Sequence, residues 1–436
     1  MVKHIFEMND YEIEQIIHKY LQIRDIEKDK FGEVFTPIEL INLILDEFPN
    51  KCWTNYDAKW LEPCAGIGNF MILVYKRLMD GLKSWQPNKQ KRSEHIIQNM
   101  LYMVELNKDN CNICKTIFGS QSNLICGDFL DDNTLFKNLT IDYIVGNPPF
   151  QDEFNKTNNN KRILGGKSKL YERIFLKAFE LLKQGGYLSF ITPSNIFSGN
   201  GVKAYKILIQ NDVQFINFNS INQYFPTIQQ NMCYFMLHKS QNMNKTIIQS
   251  DNKTKIQVTL KDRPVNPIQN WNRHTEFLTN KYISNIRNSA VYNRGKRVSE
   301  YKGNKYTIIY TPSKNLYTNK TEFAVGYDQP KIIIFAISPN LEFKMDYKGL
   351  FGVGPNTFYI PFKTVTQGKQ IEHFFNSPEY KTLALATKTT RQYLKIAFIE
   401  YLNIHKIMTT NKVKKTEKKI KKNKTMKSRK TRKNNI

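Results

Sequence analysis

Short apolar runs alternate with helical patterns along the first half of the chain. Runs bounded by turn residues predict strands, and apolar residues spaced three and four apart predict amphipathic helices. The predicted strands are Lys59–Glu62, Met100–Glu105, Leu124–Cys126, Ile141–Gly146 and Tyr187–Thr192, and the predicted helices are Asn69–Leu82, Lys108–Phe118 and Leu170–Leu182. This alternation predicts an α/β fold in which helices cover both faces of a parallel sheet. Ligands of such sheets bind beyond the carboxyl ends of the strands.

Different patterns flank this region. Two helices are predicted before it, Tyr11–Ile26 and Thr36–Phe48, the second with Thr36 as its N-cap. From about Ile247, short strands lie between Gly, Pro and Asn turns. The clearest of these strands are Tyr306–Tyr310, Lys331–Ile337 and Thr357–Pro361. The expected domains are a first domain over 1–245, a mixed α+β domain over 246–408 and a disordered basic tail over 409–436.

The chain is strongly basic, and its charge is unevenly distributed. Lysine and arginine exceed aspartate and glutamate by 27 charges, and residues 411–436 contribute 12 of them. The other 15 make the rest of the chain basic too, which suits nucleic acid as a partner, although compositional bias is an alternative explanation. No apolar run reaches the roughly 18 residues of a membrane span, and six cysteines make no disulfide framework. We therefore expect an intracellular protein without a membrane partner, either cytoplasmic or, in a eukaryotic host, in the nucleus or a viral factory.

A glycine turn separates the first predicted strand of the alternation from its helix. The segment reads Leu61-Glu62-Pro63-Cys64-Ala65-Gly66-Ile67-Gly68-Asn69-Phe70. Gly66 and Gly68 permit a tight turn and a close approach of the backbone to a ligand. Met71 fills the position of the third glycine of a dinucleotide fingerprint, which disfavours NAD and favours a ligand without a pyrophosphate.

Acidic residues end the next two predicted strands. Glu105 is suited to accept hydrogen bonds from both hydroxyls of a ribose, and Asp128 from the exocyclic amine of adenine. Taken singly, each is better explained as a surface or capping residue. Two acids on successive strand ends beside a glycine turn favour a nucleoside site.

The fourth strand of the alternation ends in Val145-Gly146-Asn147-Pro148-Pro149-Phe150. The two prolines remove backbone donors and leave carbonyl groups that need partners. Asn147 adds a side-chain acceptor and Phe150 adds a ring face. Two acceptors and a stacking ring suit an amino group on a flat base, whereas a merely rigid loop is the alternative interpretation.

In combination and order, these motifs resemble those of the S-adenosylmethionine-dependent N6-adenine DNA methyltransferases whose catalytic domain precedes the target-recognition domain. The matching elements are G-x-x-F-T-P at Gly32–Pro37, the acidic glycine turn at Glu62–Phe70 and N-P-P-F at Asn147–Phe150. The resemblance covers roughly residues 30–239. It implies a Rossmann-like methyltransferase domain with a mixed, largely parallel sheet, followed by a mixed α+β target-recognition domain.

The resemblance also implies roles for individual residues, and it implies no metal. The residues implied to bind S-adenosylmethionine are Phe35, Thr36, Pro37, Glu62, Pro63, Cys64, Gly66, Gly68, Glu105, Asp128 and Asn147. The residues implied to hold the target base are Asn147, Pro148, Pro149 and Phe150.

The implied activity is site-specific methyl transfer to adenine N6 of a base flipped out of double-stranded DNA. Restriction-modification is one setting, and a separate restriction endonuclease is compatible with it. The alternatives are methylation of cytosine N4, RNA adenine or protein glutamine, and a DNA-binding relative without catalysis.

Three further segments carry secondary expectations. Asp80–Gln98, rich in Lys, Gln and Asn, is expected to be a surface insertion. The basic segment Gln151–Lys169 is expected to lie over bound DNA. Cys111 and Cys114 lie on a predicted helix without a second cysteine pair, which favours two core thiols over a zinc site.

Overall fold

The structure is a computed structural model of the 436-residue chain, and it divides into two compact units. The first unit comprises Met1–Phe197 and Gly201–Asp262, and the second comprises Ser198–Asn200 and Arg263–Ile436. The residues described are 36–131, 139–150, 170–199, 202–218, 221–225, 230–249, 255–260, 305–319, 326–335, 340–354 and 357–387, with short stretches between 4 and 15, at 228, 277–278, 287–288 and 324, and between 398 and 407.

Several predictions fall outside these residues. They concern Phe35, most of the helix Tyr11–Ile26, the segment Gln151–Lys169 and the basic tail.

Within the described residues, a sheet of nine strands forms the centre of the first unit. The strands are β1 (Trp60–Glu62), β2 (Leu101–Glu105), β3 (Asn123–Cys126), β4 (Ile141–Gly146), β5 (Leu182–Pro193), β6 (Asn211–Asn217), β7 (Met232–Gln241), β8 (Thr246–Gln249) and β9 (Lys255–Val258). Their order is β3-β2-β1-β4-β5-β7-β6-β8-β9. The five strands from β3 to β5 in this order pair in parallel, and β7 runs antiparallel between β5 and β6. The predicted mixed, largely parallel sheet is confirmed.

The described part of the first unit also contains helices, several of which contact this sheet. They are α1 (Ile38–Leu45), α2 (Lys51–Thr54), α3 (Asn69–Gly81), α4 (Lys89–His95), α5 (Lys108–Phe118), α6 (Leu170–Leu181) and α7 (Lys203–Gln210). The bounds of α3, α5 and α6 agree with the predicted bounds to within one residue. In α5, Cys111, Cys114 and Phe118 are buried at spacings of three and four residues, which is the pattern of a helix face that packs on a sheet.

The sheet of the first unit continues past the predicted domain boundary at residue 245. Strand β8 pairs in parallel with β6, and β9 pairs antiparallel with β8. Ile248 and Val258 are buried on these strands. Both strands are four residues long and lie among polar residues, which is why the sequence pattern placed the boundary earlier than the division after Asp262.

The segment Asp80–Gln98 lies largely at the surface, as predicted, and a few of its residues are buried in the first unit. It contains α4 and the start of a π-helical turn at Ile96–Met100. The side chain of Arg92 is 2% exposed and donates to the carbonyl oxygens of Gln86 and Pro87. Many polar residues surround these few buried ones, and the sequence pattern therefore concealed them.

The described part of the second unit contains two smaller sheets and two helices. The strands are β10 (Arg287–Asn288), β11 (Tyr306–Ile309), β12 (Asn315–Thr318), β13 (Lys331–Phe335), β14 (Phe343–Asp346), β15 (Phe351–Val353) and β16 (Thr357–Pro361), and the helices are α8 (Val365–Phe375) and α9 (Pro378–Thr387). The sheet orders are β10-β16-β13-β14 and β12-β11-β15. A capping box of Thr364 and Gln367 begins α8. The predicted mixed α+β character is confirmed for this part of the chain.

A buried ion pair joins β13 to β14 in the second unit. Lys331 Nζ lies 2.6 Å from Asp346 Oδ2, and the two side chains are 0% and 2% exposed. Asp346 also accepts hydrogen bonds from the backbone N–H groups of Leu350 and Phe351, the first residue of β15. This carboxylate therefore links the two sheets of the second unit.

No helix in the described ranges has both the length and the apolar composition that crossing a bilayer requires.

Candidate active site

The strands that carry the motifs end at one edge of the first sheet. Glu62 of β1 is in register with Met103 of β2, and Glu105 of β2 with Cys126 of β3. On the other side of β1, Leu61 is in register with Ile144 of β4. Because these strands are parallel, their carboxyl ends share an edge, and the glycine turn, the strand-end acids and the Asn-Pro-Pro-Phe loop begin there.

The glycine turn has a backbone geometry that other residues cannot easily adopt. Gly66 and Gly68 have φ values of 56° and 87°. A Cβ atom on Gly68 would lie 2.8 Å from Cε2 of Phe118 on α5. Ala65 N–H donates to the Val104 carbonyl oxygen (2.9 Å), which fixes the start of the turn on β2. The turn therefore packs closely on β2 at Ala65 and on α5 at Gly68, the N-cap of α3.

Glu105 fixes the turn from the neighbouring strand. Its Oε2 accepts a hydrogen bond from Gly66 N–H (2.6 Å), and its Oε1 accepts hydrogen bonds from Asn107 N–H (2.7 Å) and Asn110 Nδ2 (3.3 Å). The side chain is 7% exposed. The supporting role of Asn110 was not predicted, and its signal is the spacing of five residues after the strand-end acid.

Glu62 is almost completely buried at the end of β1, where 2% of it is exposed. The backbone of Met71, in the first turn of α3, hydrogen-bonds its carboxyl group. Its Oε2 is buried and has no hydrogen-bond partner among the described residues. Burial, followed by the negative charge of Glu105, raises the pKa of Glu62 well above its usual range.

Two of the remaining predicted cofactor residues differ in exposure. Cys64 is partly buried, and burial together with the charges of Glu105, Glu62 and Asp128 raises the pKa of its thiol well above 9.0. Asp128 is exposed after β3, and its Oδ1 accepts a hydrogen bond from Leu130 N–H (2.8 Å). Asp128 is therefore near enough to Cys64 to contribute to the raised pKa of its thiol.

The Asn-Pro-Pro-Phe loop begins next to Glu62. A Cβ atom on Gly146 would lie 3.6 Å from Pro63 Cδ and 3.8 Å from Glu62 Cγ. Asn147 Nδ2 donates a hydrogen bond to Thr36 Oγ1 (3.2 Å). With its NH₂ group turned to Thr36, the side chain carries its carbonyl oxygen, Oδ1, on the opposite branch, and this atom is buried. In the rest of the loop, Pro148 is buried and Pro149 is exposed. Phe150 is partly buried and packs against the core of the first unit.

The hydroxyl of Thr36 accepts a hydrogen bond from Asn147 and does not cap α1, so the prediction of Thr36 as N-cap is wrong. The N-cap of α1 is Pro37, and no side chain caps this helix end. Thr36 is 4% exposed and is used by Asn147, which is 111 positions away in the sequence. A Thr-Pro pair before an apolar run predicts a cap from local sequence, and a partner so distant gives no local signal.

The fold and the geometry now have counterparts among known proteins. Residues 60–225 match the family of Eco57I restriction-modification methylases. This segment contains the glycine turn, both strand-end acids and the Asn-Pro-Pro-Phe loop. Residues 60–225 are an Eco57I restriction-modification methylase domain.

Two curated relatives share parts of this methylase domain. An uncharacterized adenine-specific methylase of Mycoplasma pneumoniae is 42% identical over 79 residues, which cover 17% of this chain and 19% of the relative. Modification methylase CviBIII of Paramecium bursaria Chlorella virus NC1A is 30% identical over 185 residues, which cover 42% of this chain and 43% of the relative. The chain therefore spans less than half the length of the curated relatives it matches.

A solved structure resembles the protein beyond the methylase domain. The DrdV–DNA complex has a TM-score of 0.53 and 14% sequence identity to this chain, over 92% of this chain and 59% of that one. At this identity the likeness shows a shared fold.

The methylase domain brings most of the predicted site residues to one edge of its sheet. Those at the edge are Glu62, Pro63, Cys64, Gly66, Gly68, Glu105, Asp128 and the loop from Asn147 to Phe150, and Thr36 reaches this edge through Asn147. Cys111 and Cys114 lie on the buried face of α5, and Cys114 Sγ contacts the Gly66 carbonyl oxygen (3.4 Å). Within the described part of the chain, no cluster of His, Cys, Asp or Glu side chains is suited to a metal ion.

Proposed function

We propose that this protein is an S-adenosylmethionine-dependent DNA methyltransferase that modifies the N6 amine of adenine. The methylase family, the adenine-specific relative and the geometry of the strand-end site support this proposal. The observation that carries it is the hydrogen bond from Asn147 to Thr36, because it orients an amide acceptor beside the glycine turn. A site for transfer to an amine needs an acceptor there.

The residues at the glycine turn fit a charged nucleoside cofactor. The turn leaves no side chain between backbone and ligand at Gly66 and Gly68. Glu62 Oε2 and Asn69 Oδ1 are buried atoms without a hydrogen-bond partner among the described residues, and such atoms usually have one. We assign the methionine part of the cofactor to this end of the cleft. Glu105 and Asp128 then lie on successive strand ends, where they can accept hydrogen bonds from the ribose and from the adenine amine.

The mechanism requires little covalent chemistry from the protein. When bound, S-adenosylmethionine supplies a methyl group on a positively charged sulfur. The Asn147 side-chain oxygen and the Pro148 carbonyl accept the two hydrogens of the adenine amine, which localises the nitrogen lone pair. Phe150 stacks on the base and favours the positive charge that develops on it. The surplus proton passes to solvent after transfer, and positioning supplies much of the rate enhancement.

The substrate that we assign is double-stranded DNA with the target base flipped out of the stack. Flipping costs a few kcal/mol. We assign the compensating contacts to DNA to the second unit, the basic segment Gln151–Lys169 and the basic tail. We assign target recognition to the second unit because it follows the methylase domain and contains its own sheets and core. A separate restriction endonuclease partner stays a prediction.

The experiment that tests this function uses the full chain with methyl-labelled S-adenosylmethionine and a mixed-sequence duplex. Nucleoside analysis of the product should show N6-methyladenine, and long-read sequencing should give its sequence context. N4-methylcytosine, or label on RNA or protein alone, would replace the proposal by one of the other amine substrates. Cofactor binding without transfer to any acceptor would indicate a relative that has lost catalysis.

The matched variant for this experiment is Asn147→Ala. It should keep cofactor affinity and lose roughly 100-fold or more in turnover, because it removes an oriented polar group at the reacting centre. Near-normal turnover of this variant would contradict the assigned role of the amide.

A further inference from the structure

Glu62 is a buried acid whose carboxyl group has a hydrogen-bond partner at only one of its two oxygen atoms. One part of the carboxyl group is hydrogen-bonded by the Met71 backbone, and Oε2 is buried without a partner among the described residues. Burying an unpartnered anion is far more costly than burying a neutral carboxylic acid. The geometry therefore favours the protonated form of this side chain.

The groups that face Glu62 do not offset a negative charge. Glu105 faces it from β2, and thiols face it from the turn and from α5, at Cys64 and Cys114. No lysine, arginine or histidine in the described residues forms an ion pair with it. The Met71 backbone N–H in the first turn of α3 is the favourable partner, and it is outweighed by burial.

Glu62 also lies where a cationic ligand would be needed. Its Cγ is 3.8 Å from the position of a Cβ atom on Gly146, the residue before Asn147. A methyl donor has to come within transfer distance of the amine held by the Asn147 loop. Its positive sulfur would therefore approach the end of β1.

From this juxtaposition we propose that Glu62 is protonated in the cofactor-free protein and releases its proton to solvent when the sulfonium cofactor binds. The site thereby discriminates the sulfonium from the uncharged thioether product. The inference rests on the proposed function, because it takes the glycine turn as the cofactor site. In the step, the carboxyl O–H bond breaks, the electron pair stays on oxygen as a carboxylate, and buffer takes up the proton.

Proton release has a measurable consequence for affinity. Binding coupled to the loss of one proton weakens as pH falls, by up to about tenfold per pH unit below the pKa of the free carboxyl group. The thioether product carries the same α-ammonium group but no sulfonium charge, so a proton that the sulfonium displaces should stay on Glu62, and the affinity of the product should depend less on pH. Lower pH should therefore narrow the difference in affinity between cofactor and product.

The test is isothermal titration calorimetry of the full chain near pH 6.5 in buffers with different ionisation enthalpies. S-adenosylmethionine and S-adenosylhomocysteine are the two probes, because they carry the same amino acid and nucleoside parts. We expect release of about one proton per S-adenosylmethionine bound and much less with the thioether. Glu62→Gln should abolish the difference, whereas Asp109→Asn, a change at an exposed carboxylate in the first turn of α5, should retain it.

The comparison of the two probes on the unaltered chain tests the proposed proton release even if Glu62→Gln fails to fold. Binding of S-adenosylmethionine without proton release, or equal release with both probes, overturns the proposal and leaves the methyltransferase function intact. Failure of both probes to bind overturns the cofactor assignment itself and, with it, this proposal.

Discussion

Replacing Thr36 by valine removes one hydroxyl group from the site and little else. Valine has nearly the same shape, and Thr36 is 4% exposed, so the α1 region should keep its packing. The lost contact is the 3.2 Å hydrogen bond from Asn147 Nδ2, at the long end of the normal range. A net contribution of about 1 kcal/mol follows for such a bond. If this energy orients the amide in the transition state, turnover should fall about fivefold.

The assay is single-turnover methyl transfer to duplex DNA at saturating cofactor. Thr36→Ser keeps the hydroxyl and should remain within about twofold of the unaltered chain, as its hydrogen bond is preserved. In an Asn147→Ala background, Thr36→Val should have no further effect on transfer, because the hydroxyl acts through the amide. Full activity of Thr36→Val, or an equal loss in the Asn147→Ala background, would refute the reasoning.

Three further predictions concern the glycine turn, the aromatic ring and the buried acid. Gly68→Ala should lower the free energy of unfolding by roughly 1–3 kcal/mol, because it places a Cβ atom at positive φ and 2.8 Å from Phe118; unchanged denaturant unfolding would contradict this. Phe150→Ala should lower transfer by the loss of about 1–3 kcal/mol of stacking, and tyrosine or tryptophan should retain part of it; equal losses in all three would argue against stacking. The raised pKa of Glu62 means that its proton is held better in the folded chain than in the unfolded chain, so its contribution to stability is lost as pH rises above 4.5. Glu62→Gln should flatten the decline of the cofactor-free melting temperature with rising pH, and an unchanged slope would count against the assignment.

Local sequence patterns made many of the strands and helices in both units predictable. β4, α5 and β16 have the predicted bounds because each is an apolar run or helical stripe with clear turn residues at its ends. β5 begins five residues before its prediction, at Leu182, because its first part is the exposed polar stretch Lys183–Gly185 that reads as a loop. Local pattern does not report pairing with a neighbouring strand.

The candidate site was predictable in composition and less so in its contacts. Motif order placed Glu62, Glu105 and Asn147 at one sheet edge without any coordinates. The pairing of Asn147 with Thr36 and the burial of Glu62 Oε2 depend on side chains from distant positions, for which spacing and composition give no signal. The same limit hid Arg92, a buried cation inside a polar segment.

The hydrogen bonds of Glu105 affect how mutations in this protein should be interpreted. Its carboxylate accepts hydrogen bonds from Gly66 N–H and Asn107 N–H without any ligand, so these parts of the backbone are held in place before binding, which reduces the ordering entropy that binding costs. An alanine at this position would remove both of these hydrogen bonds. A loss of cofactor affinity in such a variant would therefore include lost preorganisation, and it would not by itself demonstrate the proposed contacts to the ribose hydroxyls.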